Sequence, residues 1–144
     1  MIRPLEKKDI KKVVELEEKI FGETLGEEML LNEINNPMVW FRVIEEKSEI
    51  IGYIGGYFYL EDGEILNFLI DENHQHLGFG STLFGGLLQE AKQKGIKRVT
   101  LEVKSNNYKA IKFYKKFNFE QISIRKNYYK DKEDAIVMLK ELIW

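Results

Sequence analysis

A glycine-containing loop holds the residues whose types and spacing are best suited to chemistry. It runs Gln75-His76-Leu77-Gly78-Phe79-Gly80-Ser81, between an apolar strand pattern that ends near Asp71 and a helical pattern that begins near Ser81. The N–H groups in the first turn of a helix are unpaired and carry a partial positive charge. Glycines beside such a turn leave room for a ligand to approach the backbone. The loop therefore predicts an anion site suited to a diphosphate, with a tight turn that needs glycines for geometry alone as the alternative.

Two other kinds of phosphate loop do not fit these residues. A dinucleotide fingerprint needs a further glycine after Gly80, at the position where Leu83 stands. A triphosphate loop needs Gly-Lys followed by Ser or Thr, and the chain contains no such tripeptide. Antiparallel hairpins are also predicted before the loop, whereas a dinucleotide-binding unit opens with parallel strands joined by a helix.

Hydrophobic periodicity predicts the elements that position this loop. A helix capped by Asp9 and a second short helix come first, followed by an antiparallel meander in which Asp62-Gly63 is the expected hairpin turn. The predicted helices are Asp9 to Phe21, Glu27 to Ile34, Ser81 to Lys94 (ended by Gly95) and Asn107 to Lys116. The predicted strands are Val39 to Glu45, Glu49 to Leu60, Glu64 to Asp71, Ile96 to Lys104, Phe119 to Arg125 and Ala135 to Leu139. This order predicts an α/β fold, of mixed α+β type, with a mixed sheet and helices on both faces.

The composition limits the classes of function. The 144 residues suit one domain, and the net charge of −2 argues against a nucleic-acid binder. There are no cysteines and only two histidines, so thiolate sites are excluded and a metal centre is not expected. No apolar run approaches the roughly 20 residues of a membrane span, and the N-terminus lacks the apolar stretch of a signal peptide. We therefore expect a cytoplasmic protein with neither nucleic acid nor membrane as a partner.

Several segments resemble one acetyltransferase family. The loop from Gln75 to Gly80 is similar to the Q/R-x-x-G-x-G/A loop of the GNAT acetyltransferases. The segments Leu101 to Asn107, Ala110 to Tyr114, and Arg125 to Tyr129 with Glu133 to Met138 resemble its RimI-like group, which acetylates the N-terminal alanine of a small-subunit ribosomal protein. The resemblance covers nearly all of residues 1–144. It implies a single domain built on a GNAT-type central mixed β-sheet of about seven strands.

Two positions depart from the family pattern. Asn118 stands where the family has glycine before Phe119. Because asparagine tolerates the left-handed backbone better than most residues, we expect the turn to survive. The segment Phe21 to Glu28 lacks the Trp-Ser pair of the group's substrate-side loop, which leaves the acceptor open.

The resemblance also implies a cofactor site without a metal. Acetyl-CoA would be the co-substrate, with strand backbone bonding its pantetheine arm and Asn107 both capping a helix and contacting the cofactor. The residues implied to hold acetyl-CoA are Phe68, Leu69, Ile70, Gln75, His76, Leu77, Gly78, Phe79, Gly80, Ser81 and Asn107.

Glu102 and Tyr114 are the candidate base and acid for amine acetylation, which requires removal of an amine proton and protonation of a thiolate. Both match catalytic positions of the family. Glu102 alternates with Leu101 and Val103 in an apolar strand, where an unpaired carboxylate is costly, although a glutamate that reaches solvent at the strand end is the alternative. Tyr114 is a phenol with an ordinary pKa near 10, but it lies on the apolar stripe of its helix, where packing alone would explain it.

Three kinds of function remain open from the sequence. A protein N-terminus is the favoured acceptor, because the segments on the acceptor side resemble the RimI-like group. Its α-amino group, with a pKa of about 7.7–8.0, is also easier to deprotonate than a lysine at about 10.4. A small amine such as a polyamine, amino acid or amino sugar is the second. A non-catalytic acyl-CoA binding module is the third, and the presence of both Glu102 and Tyr114 argues against it. The oligomeric state stays open, and Tyr128 and Tyr129 suit either a peptide channel or a core.

Overall fold

A seven-stranded mixed sheet forms the centre of the protein, and the computed structural model describes residues 1–142 of it. The strands are β1 (Ile2–Pro4), β2 (Val39–Glu46), β3 (Glu49–Tyr59), β4 (Asp62–Ile70), β5 (Arg98–Lys104), β6 (Glu120–Arg125) and β7 (Ala135–Glu141). The helices are α1 (Ile10–Phe21), α2 (Glu27–Glu33), α3 (Phe79–Gln93) and α4 (Tyr108–Lys116). The strand order is β1-β2-β3-β4-β5-β7-β6, in which only β4 and β5 are parallel. The predicted fold class and meander are confirmed.

Helices cover both faces of the sheet, as predicted. On one face α1 and α2 bury Val13, Leu16 and Leu30 against the sheet residues Val43 and Tyr53. On the other face α3 and α4 pack over a second core, whose members include Ile51, Ile54, Leu83, Phe84, Leu87 and Leu101. Each fully buried side chain of this size contributes about 1.5–3 kcal/mol through the area removed from water. The sheet is therefore held from both sides, and its central strands are rigid supports for a site.

Two of the predicted helix ends differ in how they are stabilised. Asn107 caps α4 as predicted, because its Oδ1 accepts a hydrogen bond from the Ala110 N–H at 3.2 Å. Asp9 precedes α1, but its carboxylate accepts from Glu6 N and binds Arg3 instead of capping the helix. Asn118 adopts a φ of 67°, so the predicted left-handed turn is confirmed.

The predicted hairpin turn at Asp62-Gly63 is wrong. The chain reverses two residues earlier, at Leu60 and Glu61, where Leu60 takes a φ of 55°. Asp62 and Gly63 are already paired in β4, opposite Tyr59 and Phe58. A Cβ at position 63 would lie 3.0 Å from Cδ1 of the Phe58 ring, so the glycine here makes room for that ring.

The parallel pair β4 and β5 separates part-way along its length. Asp62 to Ile65 are paired with Arg98 to Leu101, but neither strand is paired with the other beyond that point. The register of β4 against β3 also shifts there, since Gly56 lies opposite Ile65 and Gly55 opposite Asn67. One extra residue on β4 bends the strand away from β5. The result is a gap in the middle of the sheet.

Candidate active site

A cleft of about 1070 Å³ opens where β4 and β5 separate. Residues from both faces of the sheet line it, so the gap connects the α3 and α4 side with the α1 side. At one end lie Gly78, Gly80, Ser81, Asn107 and Lys109, and at the other lie Phe21, Glu23, Thr24, Leu25 and Tyr129. Glu102 and Tyr114 also line the cleft. The structure therefore brings most of the predicted site residues to one place.

The N-terminus of α3 presents free backbone N–H groups to this cleft. Gly78 takes a φ of +90°, which a residue with a side chain rarely adopts, and no side chain caps the helix. The first bond into the helix is from Thr82 N to Gly78 O at 3.1 Å. The N–H groups that precede Thr82 have no partner inside the helix. This arrangement fits a diphosphate, since helix N-termini bind phosphate through free N–H groups and the helix dipole.

The side of β4 that faces away from β3, beyond the point where β5 separates, presents further backbone groups. Phe68 N donates to the side-chain Oδ1 of the preceding Asn67 at 3.0 Å, and Ile70 O accepts from Gln75 Nε2 at 3.0 Å. Because successive residues of a strand alternate the sides to which their backbone groups point, Phe68 and Ile70 direct theirs to the edge that β5 has left. A ligand with amide groups of its own could pair with this edge in the manner of an added strand.

Not every residue predicted to bind the cofactor lines the cleft. Gln75 and His76 do, and Gln75 also ties the loop to β4 through its bond to Ile70. Leu77 points away with an exposure of 66%, and Phe79 lies against the His74 ring instead. Neither Leu77 nor Phe79 contributes to the cleft wall.

Phe68 and Phe113 stack with ring centroids 5.5 Å apart and form an apolar part of the cleft wall. Gly80 lies next to this pair, since a Cβ added there would be 3.5 Å from Cζ of Phe68. That distance is ordinary contact, so packing within the protein does not require the glycine. The absence of a side chain at Gly80 therefore serves to leave free space in the cleft that this residue lines.

Glu102 lies on the cleft side of β5, with 23% of its side chain exposed. Its Oε2 atom is buried and lies 3.2 Å from Arg125 Nε, as an ion pair that lacks hydrogen-bond alignment. Arg125 belongs to the edge strand β6 and is itself more than half exposed. Glu102 therefore faces Arg125 through its buried Oε2, and the exposed 23% of its side chain belongs to its other atoms, on the side that lines the cleft.

Tyr114 extends from α4 into the same cleft, with its ring against Phe84, Phe113 and Phe119. Its hydroxyl has no hydrogen-bond partner among residues 1–142. Burial, and to a smaller extent the charge of Tyr129, raise the pKa of Tyr114 well above its usual value. The phenol therefore stays protonated at neutral pH, so it both packs and keeps a proton to donate.

The segment between β6 and β7 lies beside the end of the cleft that Phe21 and Tyr129 line. Lys104 at the end of β5 forms a 3.1 Å ion pair with Asp131, and Ser105 donates to Glu133. Tyr129 lines the cleft, whereas Tyr128 is half-exposed beside it. Burial, followed by the charge of Glu102, raises the pKa of Tyr129 to about 12. Tyr129 therefore lies close to the candidate base.

A buried carboxylate next to the cleft was missed in the sequence. Glu17 is fully buried on α1 and accepts hydrogen bonds from Thr24 and Asn67, which both line the cleft. The signal was present, since Glu17 follows Ile10 and Val13 in the helical period that predicts the buried stripe of α1. A charged residue in such a stripe is unusual unless it is paired or functional.

Comparison with known proteins assigns the family. The profile of the acetyltransferase (GNAT) family matches residues 10–119. The chain belongs to the GNAT acetyltransferase family. This confirms the family, the acetyl-transfer activity and the fold that the resemblance implied, and members of this family use acetyl-CoA.

Individual relatives of this GNAT enzyme match it over two thirds of its length or more. A Bacillus subtilis protein provisionally named ribosomal protein bS18 alanine N-acetyltransferase is 34% identical over 139 residues, which cover 95% of this chain and 92% of the relative. An N-alpha-acetyltransferase of Sulfolobus acidocaldarius is 33% identical over 115 residues, which cover 71% of this chain and 68% of the relative. The crystal structure of Ard1 from Thermoplasma volcanium is similar with a TM-score of 0.92 at 29% identity, covering 100% of this chain and 98% of that one. The RimI-like resemblance is therefore confirmed.

The described part of the GNAT domain also bears on membrane spans and metal sites. Within residues 1–142, no helix is long and apolar enough to cross a membrane. Over the same described range, no group of three or more His, Asp or Glu side chains is arranged to hold a metal ion.

Proposed function

We propose that this enzyme transfers an acetyl group from acetyl-CoA to the α-amino group of a protein N-terminus, with the N-terminal alanine of ribosomal protein bS18 as the acceptor. The observation that supports the acceptor is the 34% identity, over 95% of the chain, with the Bacillus subtilis relative named for that substrate. The geometry supports the reaction, because a cleft through the sheet offers an anion site and two candidate proton-transfer groups.

The fit of acetyl-CoA to the cleft rests on three groups of this chain. The N–H groups at the start of α3, together with Gly78, would bind the diphosphate. The edge of β4 from Phe68 to Ile70 would bond the pantetheine amides, and Asn107 would contact the same arm from the start of α4. Bound acetyl-CoA would supply an acetyl thioester whose carbonyl carbon is open to attack by an amine.

Glu102 would act as the general base. Its carboxylate lines the cleft and its side chain is 23% exposed, so it can accept a proton from the acceptor ammonium through one water. The α-amino group needs only a modest base, since its ordinary pKa is about 7.7–8.0. Phe68 N would exchange its local bond with Asn67 Oδ1 for the acetyl carbonyl oxygen and so stabilise the negative charge that develops there.

Tyr114 would donate its proton towards the departing sulfur. Burial keeps the phenol protonated, and its hydroxyl has no competing partner among the described residues. The raised pKa makes complete proton transfer to a free thiolate unfavourable, since an ordinary thiol has a pKa of only about 8.5. The hydroxyl therefore acts best while the carbon–sulfur bond is breaking, when the sulfur is only partly charged.

The acceptor can be tested with matched peptides. The purified protein is incubated with acetyl-CoA and a peptide that begins with alanine and reproduces the N-terminus of a bS18 protein, and thiol release and peptide mass are followed. We expect the mass of one added acetyl group. The same peptide with a blocked N-terminus and an internal lysine retained should gain none, because only the α-amino group is readily deprotonated.

Other outcomes assign the reaction differently. Acetylation of spermidine or an amino sugar without acetylation of the free peptide would overturn the protein acceptor but not the acetyl transfer. Equal acetylation of the free and blocked peptides would show that a lysine is the target, and it would overturn the α-amino specificity.

A further inference from the structure

Glu17 is a buried carboxylate that no step of acetyl transfer requires. Its side chain is fully buried, and it does not line the cleft. No salt bridge reaches it within the part of the chain that the structure describes. A buried carboxylate without a cation is costly for folding, and an apolar or amide side chain in the same helix stripe would avoid that cost. Stability alone therefore does not account for Glu17.

Three hydrogen-bond donors surround Glu17, and each comes from a residue that does line the cleft. Its Oε1 accepts from Thr24 Oγ1 at 2.5 Å and from Leu25 N at 3.3 Å. Its Oε2 accepts from Asn67 Nδ2. Thr24 and Leu25 form part of the acceptor end of the cleft, and Asn67 lies on β4 where that strand bends. One side chain therefore joins two walls of the cleft.

The orientation of each donor is set by a second bond. The Thr24 hydroxyl accepts from Gly26 N at 3.0 Å, so its own proton is free to point at Glu17. Asn67 Oδ1 accepts from Phe68 N at 3.0 Å, so its NH₂ group must face Glu17. Three donors match a carboxylate, which only accepts, better than a carboxylic acid or an amide. Burial raises the pKa of Glu17, and these three donors oppose that effect.

We propose that Glu17 is a positioning residue that fixes the segment of residues 22–26, here called the acceptor loop, against the bend of β4. Through Asn67 it also sets the position of the Phe68 N–H, and through Thr24 and Leu25 it sets the wall that the incoming amine meets. The inference rests on the proposed function, because it assigns the acceptor to this end of the cleft. It predicts that loss of the carboxylate affects the acceptor and leaves the binding of acetyl-CoA at α3 unchanged.

The test uses Glu17→Gln with Glu18→Gln as the matched control. Glu18 is the next residue of α1, is exposed, and does not line the cleft. For Glu17→Gln we expect kcat/KM for the acceptor to fall by about tenfold or more, with KM raised through the acceptor loop and kcat lowered through the Phe68 N–H, since small misplacements at a site have effects of this size. We expect the Kd for acetyl-CoA to stay within about twofold, and Glu18→Gln to change neither. Thr24→Val, which removes one of the three donors, should lower acceptor kcat/KM in the same direction by a smaller factor.

Amide hydrogen exchange supplies a readout that does not depend on turnover. Glu17→Gln should speed exchange in residues 22–26 and 66–68 and leave the start of α3 unchanged. The proposal is overturned if acceptor kcat/KM is unaffected, if the Kd for acetyl-CoA rises as much as the acceptor KM, or if exchange rises uniformly. If the wild-type protein acetylates no amine, the proposed function fails, and the exchange pattern alone still decides whether Glu17 holds the acceptor loop to β4.

Discussion

Replacement of Tyr114 by phenylalanine separates its two roles, because the change removes one oxygen and keeps the ring. The ring contacts with Phe84, Phe113 and Phe119 have centroid distances of 5.5, 5.7 and 6.2 Å, and all of them remain in the variant. The hydroxyl has no hydrogen-bond partner among residues 1–142, so no bond is lost. Tyr114 lines the cleft, so removing its hydroxyl leaves no buried polar group without a partner, and we expect the free energy of unfolding to change by less than about 0.5 kcal/mol.

The effect of Tyr114→Phe on catalysis should be large by comparison. A positioned general acid contributes about 10²–10⁴-fold to the rate, which corresponds to about 3–5 kcal/mol in the activation free energy. Because the hydroxyl serves the departing sulfur and not the acceptor, kcat should fall while the acceptor KM changes little. Since burial keeps the pKa of Tyr114 above its usual value, ionisation of this residue should not lower wild-type activity at any pH below about 10.

The measurement is kcat from thiol release at saturating acetyl-CoA and acceptor, with thermal unfolding of each variant alongside. Tyr108→Phe is the matched control, because Tyr108 lies on the same helix with an exposure of 77%. That variant should keep wild-type kcat. If folded Tyr114→Phe retains kcat within about threefold, a value far below the general-acid range, Tyr114 only packs and the proton must come from elsewhere.

Three further predictions concern the base and the stability of the fold. Glu102→Gln should lower kcat/KM by about 10²–10⁴-fold, whereas Glu64→Gln, which changes an exposed carboxyl of β4 outside the cleft, should leave it unchanged; kcat/KM of both variants at saturating acetyl-CoA is the measurement that checks this. Burial alone would raise the pKa of Asp9, but its hydrogen bonds from the Arg3 guanidinium and the Glu6 N–H lower that pKa overall. The ionised Asp9 therefore stabilises the fold above about pH 4, and this stabilisation is lost as the pH falls further. Asp9→Asn should therefore cost about 3–5 kcal/mol at pH 7 and less in acid, measured by urea unfolding across pH, and an equal loss at all pH values would contradict this. Gly52→Ala should lower the free energy of unfolding by about 1–3 kcal/mol, because the added Cβ would lie 2.6 and 2.7 Å from the side chains of Ile70 and Ile44. Gly86→Ala in α3 has no such neighbour nearer than 4.0 Å and should raise the free energy of unfolding by about 0.5–1 kcal/mol. Equal melting temperatures of the two variants would refute the packing argument.

Local rules predicted most of the elements, since they depend on residues close in sequence. The period of α1 and the Asn107 cap are examples, and both are found at the predicted places. Gly95 takes a φ of 81° just past α3, as a glycine at a helix end should. These features arise from backbone sterics and nearby hydrogen bonds, so they hold in whatever tertiary context the segment meets.

The failures occur where a contact with a neighbouring strand decides. Asp62-Gly63 has the residue types of a hairpin turn, but the Phe58 ring occupies the space that a side chain at position 63 would need. Asp9 has the residue type of a helix cap, but Arg3 on β1 binds its carboxylate at 2.7 and 3.0 Å. In both cases the residue type suits two structural uses, and the turn or the helix cap was predicted. A contact with a side chain of a neighbouring strand selected the other use.

The sequence alone determined the family, the mixed sheet with helices on both faces, and the placement of a glycine loop at the start of a helix. It also singled out Glu102, because a carboxylate stands out in an apolar strand, and Tyr114, because its position matches the acid of the family that the sequence resembles. Only the tertiary structure decided that these two side chains share a cleft, since the separation of β4 from β5 depends on a register shift against β3. Only the tertiary structure decided the partners of Glu17 as well, because Asn67 is distant in the chain and meets α1 only when the helix packs on the sheet.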